Sequence, residues 1–184
     1  MRVLGCDPAS ILMGYGCIDV APGCRLTYVE AGVLSASAKL DKYARLVILG
    51  RELEEVIAEL RPDVFCLEAG FVKGQMGALV SGAARGVAAF IAGRAGLQIA
   101  EYAPATVKKA ACGAGNADKD QVARIVAARL GLSRQPEPDA ADALAVAITR
   151  AFDRAAGWIE RPRAPAAPKP NPFFVYVPGS RGAV

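Results

Sequence analysis

The chain has 184 residues, 53% of them hydrophobic, enough for one domain with a substantial core. No uninterrupted apolar run reaches the ~18 residues of a membrane helix, and Met1-Arg2-Val3 enters a strand pattern without a signal-peptide layout, so a cytoplasmic protein without membrane association is expected. The formal charge of +4 belongs to the tail, because the residues after Glu160 carry four basic groups and no acid, leaving residues 1–160 balanced. If several of the acids in that balanced portion are offset by bound cations, its remaining surface becomes positive and suits a polyanion.

In chain order, residues 2–7 are a short apolar run, 14–20 alternate, and Pro22-Gly23 marks a turn before 25–34. This pattern predicts an antiparallel meander of three strands. Helical spacing follows over 40–60, with Leu40, Tyr43, Val47, Leu53, Val56, Ile57 and Leu60 on one broad face and Pro62 as its stop. Asp63–Glu68 reads as a buried strand, placed parallel to the first by a strand–helix–strand crossover. A second helix over 76–95 is rich in glycine and alanine, which permits close approach to the sheet or to another subunit.

Gln98–Tyr102 is a further strand, and Pro104 starts a short helix through Ala111. The loop Gly113-Ala-Gly115-Asn116 precedes a helix over 118–130, which Gly131 closes. The last helix, 139–156, follows Gln135-Pro-Glu-Pro138. We therefore expect an α/β domain over 1–160 and a proline-rich basic tail over 161–184, in which Phe173-Phe-Val-Tyr-Val177 has strand character.

Four acids stand where acids are costly. Asp7 and Glu68 end the apolar runs Val3–Cys6 and Val64–Leu67, and Asp139 and Asp142 open an alanine-rich helix. Each has an ordinary explanation when taken alone. Asp7-Pro8 is turn chemistry, and Asp139 with Asp142 resembles a helix cap. Taken together they point elsewhere. The carboxyl ends of neighbouring parallel strands are where open α/β sheets bind ligands, and positions i and i+3 of a helix share a face. The chain has no histidine, and its five cysteines form no C-x-x-C pair, so a zinc site or a disulfide framework is not expected. An all-oxygen ligand set selects hard ions such as Mg²⁺ or Mn²⁺. A pair of such ions neutralises four acids and hydrolyses phosphodiesters without a protein nucleophile.

Several separated motifs resemble the RuvC-type Holliday-junction resolvases. They are Gly5-Cys-Asp7-Pro-Ala-Ser10 with Gly14-Tyr-Gly16, Leu67-Glu68-Ala-Gly-Phe71, and Ala84-Arg85-Gly86. Further along come Glu101-Tyr-Ala-Pro with Val107-Lys108, Gly113-Ala-Gly115 with Lys119 and Gln121, and Asp139-Ala-Ala-Asp142. The resemblance implies a ribonuclease-H-like fold, a five-stranded mixed sheet with helices on both faces. It also implies a homodimer that nicks four-way DNA junctions symmetrically in recombination and repair. Asp7, Glu68, Asp139 and Asp142 match the family's catalytic metal ligands, and Lys108 and Lys119 match its active-site lysines. The resemblance further implies DNA contacts at Phe71, Lys73, Arg85, Lys108 and Lys119, and leaves room for a branch-migration motor as partner.

The chain departs from the family pattern at Ala9, where a glycine is usual, and over Val72-Lys73-Gly74-Gln75, so no cleavage-sequence preference carries over. Two other readings stay open: a metal-dependent nuclease for other branched DNA or RNA, and a junction-binding protein without catalysis. Actin-like and sugar-kinase ATPases share the acid-bearing hairpin, but they need two such domains.

Overall fold

The computed structural model describes residues 1–69, 75–113, 115 and 117–153. The expected strand Phe173–Val177 and the boundary at 160 therefore lie outside the described residues. Five strands form one sheet: β1 (Arg2–Asp7), β2 (Leu12–Ala21), β3 (Arg25–Ser35), β4 (Val64–Glu68) and β5 (Gln98–Tyr102). Their order is β3-β2-β1-β4-β5. The β1–β2 and β2–β3 pairs are antiparallel, whereas β1–β4 and β4–β5 are parallel. This is the mixed sheet expected of a ribonuclease-H-like domain, a meander extended by two crossover strands.

Strand alternation sorts the core into two layers. Leu4, Cys6, Phe65 and Leu67 face α1 (Lys42–Leu60) and α2 (Gln75–Arg94). Val3, Val64, Cys66 and Tyr102 face α3 (Pro104–Cys112), α4 (Lys119–Leu130) and α5 (Pro138–Phe152). The same alternation carries the second set on from Val3 through Gly5 to Asp7 and from Cys66 to Glu68. Both acids therefore belong to the α5 face, one residue beyond the last β1–β4 pair, Cys6 with Leu67.

Helix α5 is apolar between Asp142 and Thr149, with Ala140, Ala141 and the run Ala143–Ile148 buried between the sheet and α3 and α4. It lies unusually close to the sheet because the strands beneath it carry glycines. Gly5 pairs with Gly16, and Asp7 pairs with Gly14. A Cβ on Gly5 would overlap the carbonyl of Ala143, one on Gly14 would overlap that of Asp139, and one on Gly16 would stand 2.7 Å from the Leu144 nitrogen. These absent side chains bring the start of α5 down beside the end of β1.

The structure corrects two local expectations. Helix α1 starts at Lys42, capped by Asp41, whose carboxylate accepts from the Tyr43 and Ala44 nitrogens at 2.8 and 3.1 Å. Its buried stripe is Leu46, Leu49, Leu53, Ile57 and Leu60, whereas Leu40, Tyr43 and Val47 are exposed. Helix α5 starts at Pro138 with Glu137 as its N-cap, so Asp139 lies inside the first turn rather than capping it. Ala9 has no positive φ, so alanine is accommodated where a glycine was expected.

Candidate active site

Two separate parts of the chain bring acids to one point. Asp7 comes from the end of β1, and Asp139 and Asp142 come from the first turns of α5. One carboxylate oxygen from each of these three lies within 4.8 Å of the others. Glu68 stands outside that triad but lines the same cavity of about 200 Å³ as Asp7, Asp142, Lys108 and Lys119. The remaining wall is apolar, formed by Val107, Val122 and Ala145. Sequence reasoning missed these three because buried aliphatic residues on short helices carry no signal of their own.

Burial and mutual repulsion make the acids poor anions in the absence of cations. Burial, then the charges of Asp142 and Asp139, raises Asp7 to about 6. Burial, then Asp7 and Asp142, raises Glu68 to about 7. Asp142 is raised as well, chiefly by burial, with Lys119 opposing the shift.

Two lysines face the acids from the helical layer. Lys119 is the first residue of α4, whose start is fixed by a reciprocal cap. Asp118 accepts from the Gln121 nitrogen at 2.8 Å, and the Asp118 nitrogen donates to the Gln121 side chain at 3.2 Å. The Lys119 ammonium then sits 3.3 Å from Asp142 and 3.6 Å from Asp139. Burial disfavours its charge, yet the facing carboxylates outweigh this and raise its pKa. Lys108, from α3, lines the cavity, and its charge counters the rise of Glu68.

Of the other expected DNA contacts, Phe71 and Lys73 lie outside the described residues. Arg85, on α2, does not line the cavity. Its Nε donates to the main-chain carbonyl of Glu68 at 3.3 Å and stands 3.6 Å from a Glu101 carboxylate oxygen.

The donor set suits hard divalent cations. It offers only oxygens, and those of Asp7, Asp139 and Asp142 cluster closely enough to share an ion. The Lys119 ammonium stands beside two of the acids.

Comparison with known proteins agrees with this geometry. The family model described as crossover junction endodeoxyribonuclease RuvC matches residues 3–150. The RuvC protein of Sorangium cellulosum is 43% identical over 172 residues, covering 93% of this chain and 94% of its own. That of Afipia carboxidovorans is 41% identical over 162 residues, covering 88% and 94%. Among solved structures, Thermus thermophilus RuvC in complex with a Holliday junction substrate superposes with a TM-score of 0.76 at 33% identity, covering 83% of this chain and 93% of that one. The chain belongs to the RuvC family of crossover junction endodeoxyribonucleases.

Proposed function

We propose that this protein resolves four-way DNA junctions by paired symmetric nicks, using Asp7, Glu68, Asp139 and Asp142 to hold two Mg²⁺ or Mn²⁺ ions. The observation that carries the reading is the convergence of acids from β1 and α5 on one point, with Glu68 in the same cavity. A Thermus thermophilus relative bound to a Holliday junction substrate supports the choice of substrate. Bound cations would supply an activated water and a counter-charge for the leaving oxygen. The chain's own groups do the rest. The acids orient the cations, Lys119 and Lys108 hold the scissile phosphate and stabilise its growing charge, and Val107, Val122 and Ala145 keep bulk water from one side. Phe71 and Lys73 remain proposed DNA contacts.

The alternatives are less well supported. A binding protein without catalysis has no use for a complete set of acids. A nuclease for other branched substrates is not favoured by relatives named for crossover junctions. Among the described residues no helix is long and apolar enough to cross a membrane, consistent with a protein acting on DNA. A second copy of the chain is the proposed cover for the outer face of α1 and α2. Tyr43, Val47, Leu79 and Phe90 are exposed there, and a groove of about 440 Å³ opens between Tyr43, Leu46, Leu79 and Val80.

The test is incubation with an immobile synthetic four-way junction and a matched linear duplex, with and without Mg²⁺. Paired nicks appear only in the junction and only with metal, and binding weakens steeply with salt. Equal cutting of both substrates, or cutting in chelator, refutes the proposal. Lys119→Ala provides a second check. Nicking should slow by roughly 100-fold, as loss of a group facing developing charge does. Its side chain is 65% exposed, so thermal melting should barely change. A variant that fails to fold would make Lys119 structural instead.

A further inference from the structure

Arg85 approaches the acidic centre from the opposite side of the sheet to the two lysines. Its helix, α2, belongs to the layer packed on Leu4, Cys6, Phe65 and Leu67. Its neighbour Ala84 is fully buried there, which fixes the backbone from which the arginine extends. The side chain is only 22% exposed and makes two polar contacts.

One contact is the carbonyl of Glu68 itself, at the end of β4. The β1–β4 ladder stops at Cys6 and Leu67, so on that side the main chain of Glu68 lies past the last paired residue. On the other side the Ala69 nitrogen donates to the Tyr102 carbonyl at 2.8 Å, and Leu67 is in register with Glu101. Arg85 bridges the two strands here. Its guanidinium joins the carbonyl of Glu68 on β4 to the carboxylate of Glu101 on β5. Its charge also opposes the rise of the Asp7 pKa, alongside Lys119.

We propose that Arg85 is a positioning residue for cleavage: by tying the Glu68 main chain to Glu101, it fixes where the Glu68 carboxylate stands in the cavity. This role does not require contact with DNA. It rests on the nuclease reading above and specifies how one of that site's acids is held. Partners that orient metal ligands typically change metal affinity or activity by roughly 10–100-fold when removed.

The test compares wild-type protein with Arg85→Gln, Arg85→Lys and Glu101→Gln. Three quantities are measured: Mn²⁺ affinity of DNA-free protein by paramagnetic resonance, junction Kd against salt, and single-turnover nicking. Arg85→Gln should weaken Mn²⁺ binding and slow nicking by roughly 10–100-fold, while junction Kd and its salt slope stay within about twofold of wild type. Raising Mg²⁺ should recover part of the rate. Arg85→Lys, which keeps the charge and a donor, should rescue part of both losses, and Glu101→Gln should reproduce them more weakly. Unchanged Mn²⁺ affinity with a weaker junction Kd and a shallower salt slope would make Arg85 a phosphate contact and overturn the proposal. Unchanged behaviour in all three measurements would overturn it as well. Should Arg85→Gln not fold, Arg85→Lys and Glu101→Gln carry the same comparison. Wild-type nicking in the same assay keeps failure of the nuclease reading separate from failure of this one.

Discussion

Asp7→Asn should abolish junction nicking and, in chelator, make the protein more stable than wild type. The first effect follows from the position of Asp7, which has an oxygen within 4.8 Å of one from each of the two α5 acids and also lines the cavity with Glu68. Groups that merely orient metal ligands cost up to about 100-fold when lost, so losing a ligand itself should cost more than roughly 100-fold. Junction binding should persist, since phosphate contacts rather than the acids supply most of the affinity. The second effect follows from burial and repulsion, which raise Asp7 to about 6 from its ordinary 3.8. A carboxyl raised in the folded state binds more protons there than in the unfolded chain. Its penalty is therefore full above pH ~6 and gone once pH falls below ~4.

Asparagine carries no such penalty, so the variant should gain up to about 3 kcal/mol at pH 8, on the order of 5–10 °C in Tm. The gain should shrink as pH falls from 6 towards 4. Added Mg²⁺ should stabilise wild type more than the variant and narrow or reverse the gap. Scanning calorimetry at both pH values, with and without metal, reads all of this. A variant less stable than wild type in chelator at pH 8 would show that Asp7 has a structural partner instead.

Gly14→Ala should leave a folded protein that cleaves roughly 100-fold more slowly, since a misplacement of about 1 Å at a reacting centre has that order of effect. A Cβ at this position meets the carbonyl oxygen of Asp139, with its carbonyl carbon at 2.5 Å and the Ala140 nitrogen at 3.2 Å. All three are backbone atoms of a helix already packed on the sheet, so no flexible side chain can yield. The start of α5 must move, and Asp139 and Asp142 move with it. Overpacking of this kind costs about 1–3 kcal/mol, which a domain of this size survives. Gly93→Ala in α2 is the control, because a Cβ there meets nothing within 4 Å. It should leave cleavage intact and add up to about 1 kcal/mol through helix propensity. Full activity in Gly14→Ala, with an unmoved melting temperature, would show that the close approach of α5 does not set the geometry.

Much of this centre was legible before any coordinates. Acids closing apolar runs mark strand ends, and a period of two puts Asp7 and Glu68 on the same face once β1 and β4 are taken as parallel neighbours. Spacing alone did not reveal why α5 reaches them. Gly5, Gly14 and Gly16 were visible as a motif, but their role depends on strand register and on which helix lies above. The face of α1 was misjudged for a physical reason. Leu40, Tyr43 and Val47 extend an apolar pattern that continues beyond the buried stripe, so hydrophobicity alone cannot separate the side facing the sheet from the side left exposed. Asp139 resembled a cap because Pro138 hides the true start of α5. The approach of Lys108 and Lys119 from separate helices came only from the family resemblance, since no local pattern links residues on α3 and α4 to an acid on β1.

Anomalous diffraction from crystals soaked in Mn²⁺ tests the centre most directly. Strong peaks should lie within ligand distance of Asp7 and Asp142, with Glu68 or Asp139 completing their coordination, and Asp7→Asn crystals should lose them. Peaks confined to other surfaces, or peaks unaffected by Asp7→Asn, would contradict a shared cation site at the end of β1.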